Sequence, residues 1–443
     1  MTNPDEFARL LGRVGRGVAL GARTVLPLDT NPVPAEWTHV TKVDPEHAKK
    51  LPLLFPLYLR HTGAVSVGGS DDVTAENTEE TFDLLAPTSV PVFHEPSGPR
   101  HVTRRTREQA DLLAVPEVLN GDSESLVGQL GTATEYVREE LVPDLLREEF
   151  PWLPAFVADP LADFATSWFL SAAVFEAYII QNPDSAAARE ANVGAADLLT
   201  PREAKQRAMA AERHLESELV YLEYSGTYGG EEATEILDAV ADGLTWSRLW
   251  YGGGLDSRER VEDVLAAGAD AVVVGDAFHR VADEEADLCE RAVGELDSEA
   301  SASRVREWVG ERVDAGESAA AAYLATIPSV ADPERLAERY LALAVRTWLG
   351  LRRLADERSE DDSPSARDAP RALVAADSPW LADVSDGLGE ADAAVVRRVL
   401  RALLADGVGE ADAPPTDAAA TSGGAGASPT APTSHFAVSL SRE

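Results

Sequence analysis

LVYLEYSG (Leu219–Gly226), RLWYGGG (Arg248–Gly254) and AVVVGD (Ala271–Asp276) follow one another along residues 219 to 278, each an apolar, β-rich run that leads into glycine. Runs that are apolar through their length suit strands buried on both faces, as in a parallel sheet covered by helices. Glycine after a strand lets backbone N–H groups approach an anion, and the amino end of the next helix adds partial positive charge. Asp256 or Ser257 supplies an N-cap for the helix after the second run. The stretch therefore reads as the phosphate-binding end of a (β/α)8 barrel, whose seventh and eighth strands carry the usual phosphate loops.

Five similar runs precede it: His39 to Lys42, Ala64 to Gly69, Pro91 to Glu95, Leu112 to Val118 and Ala177 to Gln181. Eight such runs, separated by helical patterns, predict an α/β fold, a TIM-type barrel closed on itself. An open dinucleotide-binding sheet is disfavoured, because no GxGxxG opens the first unit. The expected organisation is an amphipathic segment over 1–35, the barrel over 36–297, a helical extension over 298–408 and a disordered tail over 409–443. A Trp-, Phe- and Pro-containing stretch, Pro151 to Phe169, marks an insertion of about 137–175 before the fifth strand.

The charge balance, 77 Asp+Glu against 39 Lys+Arg for a net charge of -38, opposes binding to nucleic-acid phosphates. Acids spread from Asp5 to Glu443 point to a salt-adapted, halophilic chain rather than an acidic tail. A lone cysteine, Cys289, rules out an intrachain disulfide framework and fits a reducing, cytoplasmic setting. Between Phe7 and Arg23 the chain carries Arg9, Arg13, Arg16 and Arg23 and no acid, with Phe7, Leu10, Leu11, Val14 and Val18 on one helical face. That segment suits either packing on the barrel or peripheral contact with an anionic membrane surface.

Chemistry concentrates where the strands end. Lys42 and Asp44 share a face at the end of strand one, an ammonium suited to phosphate and a carboxylate suited to a divalent cation. Only Lys42, Lys49, Lys50 and Lys205 are lysines, so this cation is not a generic choice. Gly68-Gly69-Ser70-Asp71-Asp72 adds a hydroxyl and carboxylates at the end of strand two. On strand six, alternation sends Tyr221, Glu223 and Ser225 to one side and Leu222 and Tyr224 to the other, which makes Glu223 the candidate acid/base group.

These residues carry a resemblance: the chain resembles the geranylgeranylglyceryl phosphate synthases and their heptaprenylglyceryl (PcrB-like) relatives. The matching pieces are Glu36-Trp37-x-His39-Val40-x-Lys42-x-Asp44-Pro45, Gly68-Gly69-Ser70-Asp71-x-Val73-Thr74, Pro116-x-Val118-Leu119-Asn120, Asn182-Pro183-Asp184, Tyr221 to Gly226, Tyr251 to Gly254 and Val272 to Gly275. The resemblance implies Mg2+-dependent prenyl transfer from a diphosphate to the primary hydroxyl of sn-glycerol 1-phosphate. It implies glycerol phosphate around Lys42, Tyr221, Leu222, Glu223, Tyr224, Ser225, Gly226, Gly254, Gly275 and Asp276, catalysis by Glu223 and Tyr221, and magnesium on Asp44 and Ser70. A homodimer is the expected assembly. Asp276 departs from the family's usual Asn, and near Thr132, Ala133 and Thr134 no bulky side chain stands to close a tail groove. An acidic, salt-adapted chain suggests an archaeal host and hence geranylgeranyl diphosphate as donor. Longer donors (C25 to C35) and a non-catalytic phosphate-binding barrel are the alternatives; a Schiff-base aldolase is disfavoured because only Lys42 falls on a strand.

Overall fold

A computed structural model describes residues 29–46, 49–69, 73–149, 152, 155–360 and 390–398. The strands are β1 (His39–Val43), β2 (Ala64–Val67), β3 (Val92–His94), β4 (Ala114–Val118), β5 (Val174–Ile180), β6 (Leu219–Glu223), β7 (Arg248–Gly252) and β8 (Ala271–Val274). Their order in the sheet is β3-β2-β1-β8-β7-β6-β5-β4, with parallel pairing. This order, in which each strand but β3 and β4 pairs on both sides, is that of the expected (β/α)8 fold, nearly closed. Every residue of β2, β6 and β8 is buried, which is why those runs are apolar without alternation.

β5 starts at Val174, earlier than the expected Ala177, because Val174, Phe175 and Glu176 pair with Ala114, Val115 and Pro116 of β4. Glu176 interrupts the apolar pattern, but the length of the partner strand decides how far the ladder runs.

Two compact units divide the described residues: one of Leu112–Gly253 and Glu262–Val273 with those before His39, the other of His39–Asp111, Gly254–Val261 and those from Val274 onward. In the second, β1 leads to β2 through a connection whose only helix among the described residues is the five-residue α1 (Phe55–Leu59), buried at every position. α2 (Ala75–Leu85) and α3 (Arg104–Gln109) are each started by a threonine, Thr74 and Thr103, whose side chain accepts a first-turn N–H.

In the first unit, α4 (Gln129–Tyr136), α5 (Val142–Glu149) and α6 (Ala155–Ala172) connect β4 to β5. Helix begins there at Glu124, before the expected insertion boundary at 137. Val137, Leu141 and Val142 are buried with Leu145, Ala162, Ala165 and Phe169 against them, whereas Trp152, Phe164 and Trp168 stay exposed. α7 (Ala186–Glu190), α8 (Pro201–Ala210) and α9 (Gly230–Gly243) follow in this unit; α8 opens with Pro201 and a Thr200–Glu203 capping box. Asn31 ties the amino-terminal segment to it by donating to the carbonyls of Glu218 (2.8 Å) and Trp246 (3.0 Å).

α10 (Arg258–Ala266) precedes β8, and α11 (Asp276–Glu295) follows it, burying Phe278, Val281, Ala282, Leu288, Cys289 and Ala292 at three- and four-residue spacing. The expected extension is helical: α12 (Ala302–Gly310), α13 (Ala319–Ala325) and α14 (Pro333–Glu360). Trp308, Tyr323 and Leu324 in it are fully buried. It belongs to the same compact unit as β1 and bonds directly to that strand: Tyr323 OH to Thr41 Oγ1 at 2.8 Å, and Thr326 Oγ1 to His39 Nε2 at 3.0 Å. Burial holds the His39 imidazole neutral, its pKa lowered to about 3. Arg258 adds a tie by donating to the carbonyls of Ile327 (3.3 Å), Pro328 (3.3 Å) and Val330 (2.6 Å). Helix α13 thus covers the outer side of β1, where the β1–β2 connection supplies little helix of its own.

The Phe7–Arg23 segment, residues 361–389 and 399–408 of the extension, and the 409–443 tail lie outside the described residues. Among the described residues, no helix is long and apolar enough to cross a membrane.

Candidate active site

β1, β2 and β3 of one unit bring their carboxyl ends together. Lys42 of β1 and Ser66 of β2 are register partners, and Glu95 follows the last residue of β3. Lys42 Nζ donates to Glu95 Oε1 at 2.8 Å, and Ser66 Oγ donates to Glu95 Oε2 at 2.8 Å. Asp44, just past β1, lies 3.7 Å from His279 Nδ1, one turn into α11. Burial raises the Asp44 carboxyl above its usual range; His279 and Lys42 oppose that rise, and the charges of Asp276 and Glu95 add to it. A Cβ on Gly69 would stand 3.2 Å from Asp44 Oδ1, so the glycine lets the second strand's exit run close beside that carboxylate.

Gly254 has φ +53, a left-handed backbone that glycine adopts freely, and its carbonyl accepts from Arg260 Nη1 at 2.9 Å. Gly275 caps the amino end of α11 and Asp276 is the first residue of that helix. A Cβ on Gly275 would meet Lys42 Cβ only at 3.6 Å, so its close approach is optional with respect to Lys42. Asp276 places an acid on the positive end of a helix, which favours the helix but subtracts from the attraction for an anion.

β5, β6 and β7 bring the other candidate residues together in the other unit. Tyr221 stacks on Tyr178, ring centroids 4.6 Å apart and 17° from parallel. Tyr224, just past the end of β6, packs against Tyr251 and donates to Glu232 Oε1 at 3.1 Å. Glu223 is buried, and its Oε1 accepts from Ser225 N–H at 3.1 Å, which fixes the carboxylate toward the chain that leaves the strand. Asn182, from the Asn-Pro-Asp motif, donates to Ser225 O at 2.6 Å, and Gly226 (φ +81) turns the chain away. Gly252 has a steric reason: a Cβ there would lie 1.8 Å from Tyr221 OH. Leu222 is buried on β6 as register partner of Tyr251.

Ser70 lies outside the described residues, as do Asp71 and Asp72. Among the described residues, no group of three or more His, Cys, Asp or Glu side chains is arranged to hold a metal ion. Mg2+ that keeps its waters and shares substrate phosphates needs only one or two carboxylates. Of the expected donors only Asp44 is among the described residues, and its carboxylate, largely buried and flanked by the charges of Asp276 and Glu95, suits such an ion. Sequence reading passed over Glu95, His279 and Tyr178. Glu95 carried a signal, an acid closing an apolar run before Pro96; the other two carried none, because a histidine one turn into a helix and a tyrosine within a strand are ordinary core residues.

The PcrB family pattern matches residues 34–293, more than half of the chain. The chain belongs to the PcrB family. It is similar to the geranylgeranylglyceryl phosphate synthase of Methanocella arvoryzae, 33% identical over 250 residues that cover 55% of this chain and 91% of that protein. The enzyme of the same name from Haloquadratum walsbyi is 33% identical over 247 residues, 55% of this chain and 88% of its own length. Heptaprenylglyceryl phosphate synthase of Listeria welshimeri is 29% identical over 245 residues, 54% of this chain and 91% of its own. Among solved structures, (S)-3-O-geranylgeranylglyceryl phosphate synthase of Thermoplasma acidophilum in complex with sn-glycerol-1-phosphate is 22% identical with a TM-score of 0.40, over 55% of this chain and 86% of that one. The PcrB match ends within α11, so α12 to α14 lie beyond it.

Proposed function

We propose that this PcrB-family chain is a prenyltransferase that joins geranylgeranyl diphosphate to the primary hydroxyl of sn-glycerol 1-phosphate, forming the first ether bond of archaeal membrane lipids. The observation that carries the reading is a family match that takes in every strand end named above, with Lys42, Asp44 and Glu223 all intact.

In the reaction, the bond between prenyl C1 and the diphosphate oxygen breaks and a bond from C1 to the glycerol oxygen forms. The hydroxyl proton must leave. Glu223, a buried carboxylate already oriented by Ser225 N–H, is the group we assign to accept it. Tyr221, stacked on Tyr178, holds its hydroxyl in a fixed direction and contributes to positioning the glycerol. Lys42 supplies charge for the phosphate, and backbone N–H groups of Ser225, Gly226, Gly254, Gly275 and Asp276 are the proposed neutral donors to it. Mg2+, held by Asp44 and Ser70, would neutralise charge developing on the leaving diphosphate. Cytoplasmic localisation, a homodimeric assembly and contact with the membrane surface, where a prenyl donor resides, belong to the same reading.

The test uses purified protein at high salt with Mg2+, labelled glycerol 1-phosphate or glycerol 3-phosphate, and prenyl diphosphates of C15 to C35. We expect an ether product with glycerol 1-phosphate and the C20 donor. Product with a longer tail would reassign the donor, and no product with any pair would overturn the transferase reading.

A further inference from the structure

Three strands converge on one carboxylate in the half of the site that begins at β1. Glu95 sits beyond β3, its backbone N–H donating to Val67 O at 2.9 Å. A Cβ on Gly68 would stand 2.5 Å from Glu95 O, so the glycine allows the exit of β2 to press against this residue. The carboxylate then divides its oxygens: Oε1 accepts from Lys42 Nζ and Oε2 from Ser66 Oγ, both at 2.8 Å. Backbone and side chain of Glu95 are thus both fixed before any ligand arrives.

We propose that Glu95 is a positioning residue: its carboxylate clamps the Lys42 ammonium in the direction from which it meets the phosphate of glycerol phosphate. The inference rests on the function proposed above. Lysine carries its charge on a long, freely rotating stem, and ordering that stem opposes binding unless it has been done beforehand. A charge-assisted bond to a buried carboxylate does it. Exposure separates support from tool: the Glu95 side chain is 8% exposed and that of Lys42 23%, so the lysine is the more open of the two partners. Electrostatics alone predicts the opposite effect, because removing an anion beside a phosphate site should tighten phosphate binding. The sign of the effect therefore discriminates.

Calorimetric titration of the full chain with sn-glycerol 1-phosphate at high salt reads that sign. Glu95→Gln keeps an acceptor for Ser66, and it should weaken binding roughly tenfold. Lys42→Met should weaken it further, and the double variant should be no weaker than Lys42→Met alone. Unchanged or tighter binding by Glu95→Gln, or losses that simply add in the double variant, would overturn the clamp.

A second measurement needs no substrate. Amine acylation followed by mass spectrometry compares Lys42 with Lys50 and Lys205, and Glu95→Gln should raise the relative labelling rate of Lys42 several-fold. Equal rates in the two proteins also overturn the proposal. Should the wild-type chain bind no glycerol phosphate while the variant labels faster, the proposed function falls and the clamp stands.

Discussion

The hydroxyl of Tyr323 lies 2.8 Å from Oγ1 of Thr41, joining a helix beyond the PcrB match to the strand that carries Lys42. Both groups are buried, and the Tyr323 ring also packs on Phe278 of α11 at 4.9 Å between centroids. The extension is part of the wall around β1, not a separate module. Trp308→Ala should therefore cost about 3–5 kcal/mol, as a large buried aromatic does. Tyr323→Phe should cost about 1–2 kcal/mol, the lost bond plus a buried Thr41 hydroxyl left to re-pair. Chemical denaturation at fixed high salt measures both, and stability equal to wild type in Trp308→Ala would mean that the extension is dispensable to the fold.

Gly252→Ala should strip activity and lower the melting temperature together. Its new Cβ would lie 1.8 Å from Tyr221 OH, and Tyr221 is held from the other side by its stack on Tyr178. The neighbouring ring cannot yield without breaking that stack. Combining Gly252→Ala with Tyr221→Leu should restore the melting temperature but not turnover; a single variant that melts and turns over like wild type would contradict the geometry.

Glu223→Gln should lower kcat by about 10²–10⁴-fold, the usual contribution of a positioned general base, while changing substrate affinity far less. Gln can still accept from Ser225 N–H, so the fold should survive. Full turnover at saturating substrates would remove Glu223 from the chemistry.

Glu285 of α11 sets a pH dependence of stability. Burial pushes its carboxyl up to about 8; the Leu53 N–H opposes this and Glu284 adds to it, while Oε2 is buried without a hydrogen-bond partner. The folded chain holds this proton after the unfolded chain, at its ordinary 4.5, has released it. Stability from this group is thus complete below about pH 4.5 and is lost as pH rises to about 8, by an amount on the order of a few kcal/mol. Unfolding free energies of wild type and Glu285→Gln, measured from pH 5 to pH 9, should converge at the acid end and diverge in favour of the variant at the alkaline end. Parallel curves would show that the carboxyl is not protonated in the fold.

Much of this was present in the chain order of residues. Strand burial on both faces makes β2, β6 and β8 apolar throughout, and a local composition of that kind survives in sequence without knowledge of any partner. Side-chain alternation is equally local, which is why Tyr221 and Glu223 could be set apart from Leu222 and Tyr224 before their surroundings were known. Lys42 and Asp44 announce themselves because a scarce lysine and an acid two residues away share one face.

Partners across the fold are a different matter. Glu95 stands 53 residues from the lysine it holds, and Tyr323 stands 282 residues from Thr41. Periodicity tells a side chain which face it occupies but not which distant strand or helix will cover that face. Sequence by itself determined the parallel barrel and the candidate residues at its strand ends, since each follows from local pattern and backbone freedom. Only the tertiary structure decided that Glu95 anchors Lys42, that Gly252 makes room for Tyr221, and that the carboxyl-terminal helices cover β1, because those depend on which surfaces the folded sheet brings within a few ångströms of one another.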